Sequence, residues 1–250
     1  MADRVAFITG ANKGIGLETA RGLGALGVAV VIGSRDESRG VAAADMLRSE
    51  GIITVESVKF DATKREDYDA IARVLANRYG KLDILVNNAG VMLDSVSFEG
   101  EGGFNTTSTV TPDTLLETFE TNFFAVVALT QKLLPLIRKS KAGRIVNLSS
   151  ILGSLTLHAD PSSPIYPMKA FAYDVSKTAL NAFTIHLAHE LRSTSIKVNS
   201  AHPGWVKTDM GGSAAPMELS EGGKTSVQLA TLPDDGPTGG FFHLGEPLPW

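Results

Sequence analysis

Tyr173 and Lys177 stand four residues apart in Tyr173-Asp174-Val175-Ser176-Lys177, a spacing that puts both on one face of a helix. A phenol can hand its proton to a carbonyl oxygen that is becoming an alkoxide. A neighbouring ammonium would favour the phenolate that remains. Tyrosine ordinarily titrates near 10, so the reverse step near neutrality needs such help; a carbonyl reduced this way would also need a hydride donor, and the spacing by itself fits a partly exposed amphipathic helix surface as well. Tyr166 is a weaker candidate acid. Its relation to Lys169 is three residues with Pro167 intervening, which suits a residue lining or closing a cleft.

A hydride donor needs a binding site, and the segment Thr9-Gly10-Ala11-Asn12-Lys13-Gly14-Ile15-Gly16 can supply one. Glycines let the backbone turn tightly from a strand into a helix, where free N–H groups and the helix dipole attract a pyrophosphate. The acid or base that follows the second strand then discriminates between dinucleotides. Ser34-Arg35 stands there, and Lys13 in the glycine turn offers a second cation for a 2′-phosphate, so NADP(H) is predicted over NAD(H). Asp36 could instead serve as a ribose acid, but it better suits the cap of the following helix, since Glu37 and Ser38 continue a first turn.

These elements imply an architecture. Apolar runs at Arg4–Thr9, Val28–Ser34, Val55–Phe60, Ile84–Asn87, Arg144–Ser149 and Ile196–Ala201 are continuous, as in strands covered on both faces. Segments of helical period separate them at Ile15–Leu26, Glu37–Glu50, Glu66–Tyr79, Pro112–Arg138, Tyr173–Ser193 and Glu218–Leu229. Asp36 and Thr63 are candidate N-caps, Pro112 suits a first turn after Thr111, and Gly27, Gly51 and Gly80 suit helix ends. The expectation is an α/β fold: a single-domain, Rossmann-type doubly wound parallel sheet of about seven strands with helices on both faces, residues 1–250 forming one dinucleotide-binding and catalytic domain. Val91–Thr111, Ile151–Ala172 and Lys207–Met217 follow strands as loops, where an open parallel sheet takes its substrate.

Composition narrows the partners. The chain has 250 residues, 43% hydrophobic, with a formal net charge of -4 and no basic run, which disfavours nucleic acid. Apolar stretches fall short of the roughly 20 residues that span a bilayer. Zero cysteines exclude thiol chemistry, and Met1-Ala2-Asp3-Arg4 leads into an apolar run without a signal-like pattern, so a cytoplasmic location is expected. His186 and His189 lie three apart but have no evident third ligand, so no metal is expected. His158, alone in a loop, could contact substrate but reads rather as solvated. Phe98, Phe104, Trp205 and Met210 fit either an apolar substrate wall or core packing.

The motif T-G-x-x-x-G-x-G at Thr9–Gly16 resembles that of the short-chain dehydrogenase/reductases, and further matches follow in the family's order. These are Asn87-Asn88-Ala89-Gly90, Glu120-Thr121-Asn122, Ser149-Ser150, Tyr173-x-x-x-Lys177, Pro203-Gly204-Trp205-Val206-Lys207-Thr208 and the end segment Gly236–Gly240. The resemblance spans essentially the whole chain. It implies a catalytic set of Asn122, Ser150, Tyr173 and Lys177, in which Ser150 bonds the substrate oxygen and Asn122 bends its helix and holds a water leading to Lys177. Strand alternation leaves Ser149 as the less suitable serine. The resemblance also implies cofactor contacts from Gly10, Asn12, Lys13, Gly14, Ile15, Gly16, Arg35, Asp61, Ala62, Asn88, Ala89, Gly90, Tyr173, Lys177, Pro203, Gly204, Val206 and Thr208. Asp61 would meet adenine, a plain turn acid being the lesser alternative from the residues, and Thr208 would lie near the nicotinamide carboxamide.

The segment between Ser150 and Tyr173 is longer than most of the family uses and resembles the insertion of its carbonyl-reductase branch, as do the Asn-Lys-Gly-Ile-Gly and Pro-Gly-Trp-Val turns. That insertion can obstruct the family's helix-to-helix contact, so monomer and homo-oligomer both remain open. The reaction implied is NADPH-dependent reduction of a ketone or aldehyde, reversible to alcohol oxidation, on a small-molecule carbonyl or alcohol substrate. Two alternatives are a dinucleotide-sensing binding protein with vestigial catalysis and a sugar-nucleotide epimerase or dehydratase, the latter normally needing a further substrate domain.

Overall fold

The structure, a computed structural model, describes residues 3–94 and 103–250. Its centre is a sheet of strands β1 (Val5–Thr9), β2 (Ala29–Ser34), β3 (Val55–Lys59), β4 (Ile84–Asn87), β5 (Arg144–Leu148), β6 (Lys197–Ala201), β7 (Phe241–His243) and β8 (Glu246–Pro247). Their spatial order is β3-β2-β1-β4-β5-β6-β7-β8. All neighbours pair in parallel except β7 with β8. The helices are α1 (Gly14–Ala25), α2 (Glu37–Ser49), α3 (Arg65–Tyr79), α4 (Pro112–Phe119), α5 (Ala125–Ile137), α6 (Leu155–Ala159), α7 (Phe171–Glu190) and α8 (Lys224–Ala230).

Alternation along each strand builds two cores from one sheet. Ala6 and Ile8 of β1, with Val30 and Ile32 of β2, face Leu17 and Leu23 of α1, Leu47 of α2 and Leu229 of α8. Val5 and Phe7, with Val31 and Leu85, face Ile71 and Leu75 of α3, Leu129 and Leu133 of α5, and Leu187 of α7 with Leu191 just past its end. Each such side chain taken fully out of water contributes about 1.5–3 kcal/mol, which is why the strands read as unbroken apolar runs.

The expected strands and helices are present, with ends displaced by a residue or a few. The differences have local causes. Asp36 caps α2 by accepting the Arg39 N–H at 3.1 Å, and Thr111 caps α4 by accepting the Thr114 N–H at 3.1 Å. Thr63 does not cap α3. Lys64 holds the cap position without a side-chain bond, because the Thr63 hydroxyl donates to Asp61 at 2.8 Å. Pro112–Arg138 is not one regular helix, since Glu120–Phe124 forms a wider π turn between α4 and α5. Glu218–Leu229 divides into a short 3₁₀ turn at Leu219–Glu221 and α8, across Gly222-Gly223. Ile151–Ala172 is only partly loop, since it holds a 3₁₀ turn at Ile151–Gly153 and then α6.

Candidate active site

The strand order reverses between β1 and β4, where an open parallel sheet leaves a crevice at its carboxyl edge. Gly10 and Gly14 take φ of +64° and +59°, conformations that a side chain would strain, and so turn β1 sharply into α1. Gly16 has a different reason to be glycine: a Cβ there would lie 2.5 Å from Asn88 Nδ2 and 2.8 Å from the Gly10 carbonyl oxygen. Asn88 braces the turn, donating from Nδ2 to the carbonyls of Thr9 at 2.7 Å and Gly10 at 3.2 Å. Thr9 Oγ1 in return accepts the backbone N–H groups of Asn88 at 3.0 Å and Ala89 at 2.9 Å. At the start of α1, Lys13 is extended and no side chain caps the helix. The first-turn N–H groups thus suit an anion supplied from outside, and the donor set fits a dinucleotide pyrophosphate.

Arg35 is exposed beyond the end of β2, and its neighbour Asp36 is committed to α2 through Ser38 and Arg39. The Ser38 hydroxyl and the Arg39 N–H hold the Asp36 carboxyl below the usual carboxylate range. Lys13 pairs at 2.5 Å with Asp209, which follows Thr208 in the turn after β6. Both partners are largely exposed, so an arriving phosphate can compete for the ammonium. That turn therefore reaches the glycine turn, and Ile15 and Val206 meet across Gly222, where a Cβ would lie 3.1 Å from each. Pro203 and Gly204 lead out of β6 into it, and Thr208 Oγ1 accepts the Gly211 N–H at 3.0 Å. Asp61 Oδ1 accepts the N–H and the hydroxyl of Thr63, which matches the turn-acid reading; Ala62 beside it is half-buried. Asn12 is half-buried in the glycine turn.

The four residues of the expected catalytic set converge beside this crevice. Ser150 follows β5, and its side chain hydrogen-bonds Tyr173 on the first turn of α7. Ser149 points elsewhere, its hydroxyl buried without a hydrogen-bond partner. One turn along α7, Lys177 Nζ lies 5.6 Å from the centroid of the Tyr173 ring and donates to the Leu148 carbonyl at 2.7 Å. Asn122 occupies the π turn, accepting the Val91 N–H and donating to the Val91 carbonyl, each at 2.8 Å, and donating to Ser176 Oγ at 3.0 Å. Gly90 lies between: a Cβ there would stand 3.3 Å from Asn122 Oδ1 and 3.5 Å from Lys177 Nζ.

Burial governs the electrostatics. It pushes the Tyr173 hydroxyl up to about 12, only partly opposed by the bond to Ser150, and pulls the Lys177 ammonium down to about 8. Burial thus outweighs the downward pull expected of Lys177. Its amine lies over the ring and is directed at Leu148. The phenol is therefore protonated at neutral pH, the form a donor must be in, and although burial makes it hold that proton more tightly, an alkoxide forming on a substrate is a stronger base still.

Around Tyr173 lies a separate apolar cluster of Met92, Leu152, Ile165 and Ala170, with Phe104 and Met210 packed against it. Phe98 lies outside the described residues. Trp205 is half-exposed and donates from Nε1 to the Gly211 carbonyl at 2.7 Å. Tyr166 is exposed beneath the Lys169 ammonium, 4.9 Å from its ring centroid. His158 is not a solvated loop residue. On α6, its Nε2 lies 2.9 Å from the Leu152 carbonyl and 3.3 Å from Asp174 Oδ2, and its Nδ1 lies 2.9 Å from Lys169 Nζ. His186 and His189 face solvent on α7, and no group of three or more potential metal ligands occurs among the described residues.

Three residues near the site escaped the sequence reading: Ser176, Asp94, and His202, whose Nδ1 accepts the Ile151 N–H at 3.2 Å next to Ser150. Burial, then His243, pulls His202 down to about 3, so it is neutral and able to accept. Its position before Pro203-Gly204 is the only local signal, because the partner lies 51 residues away.

Comparison with known proteins identifies the family. A family profile described as short chain dehydrogenase matches residues 4–219. The chain is 31% identical to a (+)-neomenthol dehydrogenase of Capsicum annuum, covering 97% of this chain and 96% of that one. It is 33% identical to carbonyl reductase (NADPH) 1 of Bos taurus, covering 98% of each. Among solved structures, an NADPH-bound carbonyl reductase from chicken fatty liver superposes with a TM-score of 0.82 at 27% identity over the whole of both chains. The chain belongs to the short-chain dehydrogenase/reductase family of oxidoreductases, and its likeness within that family is to the carbonyl reductases.

Proposed function

We propose that the protein reduces a ketone or aldehyde to an alcohol with NADPH, residues 1–250 acting as one cofactor-binding and catalytic domain. The observation that carries this reading is the buried Tyr173 phenol, bonded to Ser150, with Lys177 one helical turn along. Likeness to reductases named for NADPH, together with the exposed cations Arg35 and Lys13, supports NADP(H) as the dinucleotide.

The glycine turn and the uncapped start of α1 bind the pyrophosphate, and Arg35 and Lys13 take the 2′-phosphate. When bound, NADPH supplies the hydride. Ser150 Oγ orients the substrate carbonyl, and the Tyr173 proton moves to its oxygen as charge develops there. Lys177 holds the ribose side of the crevice and stabilises the phenolate left on Tyr173. Asn122 fixes Val91 and so the Asn88–Gly90 turn beside the cofactor. Substrate choice beyond an open carbonyl falls to the apolar cluster around Tyr173 and the loops above it.

The test is a panel of ketones and aldehydes followed by NADPH absorbance, with NADH in parallel and Tyr173→Phe as control. Turnover should require NADPH and fall by about 10²–10⁴-fold in the variant. NADPH binding with no oxidation across the panel would favour a dinucleotide sensor, and an active Tyr173→Phe would place the acid elsewhere.

A further inference from the structure

The first turn of α7 presents N–H groups that the helix cannot satisfy itself, and its cap residue Ala170 contributes no side-chain bond. The acceptor comes from elsewhere in the chain. Asp94, which lies in the loop after β4, accepts the Ala172 N–H through Oδ1 at 2.9 Å and the Tyr173 N–H through Oδ2 at 2.8 Å. It is 5% exposed. A buried carboxylate between two donors at a helix start is electrostatically well placed.

The loop that carries Asp94 is tied at several points. Upstream, Asn88 and Ala89 are clamped to Thr9, and Val91 is held through both its N–H and its carbonyl by Asn122. The Asp94 carbonyl accepts the Asn105 N–H at 3.2 Å, and the Asn105 carbonyl accepts the Phe171 N–H at 3.2 Å. One short path thus runs from the glycine turn, through the Asn88–Gly90 turn, to the backbone of the residue whose hydroxyl bonds Ser150. Bonds to two successive N–H groups fix both the position and the tilt of that first turn. A single capping bond would leave it free to rotate.

We propose that Asp94 is a positioning residue for Tyr173: its carboxylate, held by the loop that leaves the cofactor turn, sets where the phenol stands relative to Ser150 and the nicotinamide side of the crevice. This rests on Tyr173 being the acid in the proposed reduction. It goes further by assigning the acid's placement to a residue 79 positions away in the chain. Small errors in the placement of a reacting group cost rate steeply, so the consequence belongs in kcat.

The experiment compares Asp94→Asn, Asp94→Ser and Asp94→Glu with the wild type, each alone and in a Tyr173→Phe background. It measures kcat, KM, NADPH affinity by fluorescence titration, and thermal unfolding. Asp94→Asn keeps the shape but can accept only one of the two N–H groups. It should lower kcat about ten-fold or more, with NADPH affinity within two-fold of wild type and a cooperative unfolding transition. In the Tyr173→Phe background it should lower the residual rate no further, since it acts through that hydroxyl.

Three outcomes would overturn the proposal: an unchanged kcat in Asp94→Asn, losses that multiply in the double variant, or NADPH affinity falling in parallel with kcat. Failure of all three single variants to fold would also overturn it, by making Asp94 a determinant of stability. If Tyr173→Phe itself keeps full activity, the reading of the site has failed, and that result is separate from any of these.

Discussion

The two ends of the sheet make opposite use of charge. At the amino ends of the strands lies a cleft of about 410 Å³ lined by Arg4, Ile53, Glu56, Arg78, Tyr79 and Lys81. Its charged groups are matched locally: Arg78 pairs with Glu56, Lys81 donates to Asp83 and to the Asp3 carbonyl, and Arg4 donates to the Ala230 carbonyl. At the carboxyl ends, Tyr173, Lys177 and His202 are buried and shifted by burial itself. An open cavity therefore does not mark the proposed reaction site. Burial also shifts Arg4 and Tyr79 at the amino end, so what sets the proposed site apart is nearly fully buried ionisable groups beside a turn of free N–H donors.

That contrast can be broken by substitution. Lys177→Met should lower kcat by about 10²-fold or more and weaken NADPH binding, because the proposed reaction uses Lys177 for both the acid and the cofactor. In the wild type, kcat/KM for reduction should fall as pH rises through about 8, where the Lys177 ammonium loses its proton, and Lys177→Arg should carry that limb to higher pH. A flat profile over that range would separate Lys177 from the reaction.

Arg35→Asp should move cofactor preference from NADPH towards NADH by about 10–100-fold, the worth of a charge-assisted bond of about 1.5–3 kcal/mol. Unchanged preference in the ratio of the two kcat/KM values would return the choice to Lys13 or elsewhere.

Asp174 gives a smaller and different signal. Burial, then the nearby charge of Asp94, pushes its carboxyl up to about 8. Between about 4 and 8 the folded protein keeps a proton that the unfolded chain releases, so stability from this group is full at low pH and lost as pH rises across that window. Asp174→Asn should flatten that part of the unfolding profile and raise the melting temperature relative to wild type above pH 8. The same slope in both proteins would remove Asp174 as its cause. At the opposite end, Arg78→Gln should leave turnover within two-fold and change stability by less than about 1 kcal/mol, since the Arg78 side chain is 59% exposed.

Much of this was legible beforehand, for a physical reason. Strands buried on both faces announce themselves as apolar runs, and Ile84–Asn87 agrees with the structure residue for residue. Caps whose partners lie within four residues, such as Asp36 and Thr111, can be read locally. What could not be read is settled by distant partners or by very short elements. β8 has two residues and returns through Leu244, which takes a positive φ. α6 starts at Ser154, whose Oγ accepts the Leu157 N–H at 3.2 Å, but its five residues are too few to show a period. In the site, motif spacing brought Ser150, Tyr173, Lys177 and Asn122 forward. The direction of Lys177 towards Leu148, the enclosure of His158 and the reach of Asp94 depend on tertiary contacts that no local pattern carries.

The π turn at Glu120–Phe124 has a consequence for how such a site can be gained or lost. A widened turn stores one residue more than ordinary winding over nearly the same rise. Deleting Thr121 would let the chain rewind smoothly, leaving Leu129, Leu133 and Ile137 in phase with the sheet while taking the Asn122 carboxamide out of line with Val91. A change of one codon would thus act on this brace first, and its further cost would fall on α4, which carries the buried Thr118.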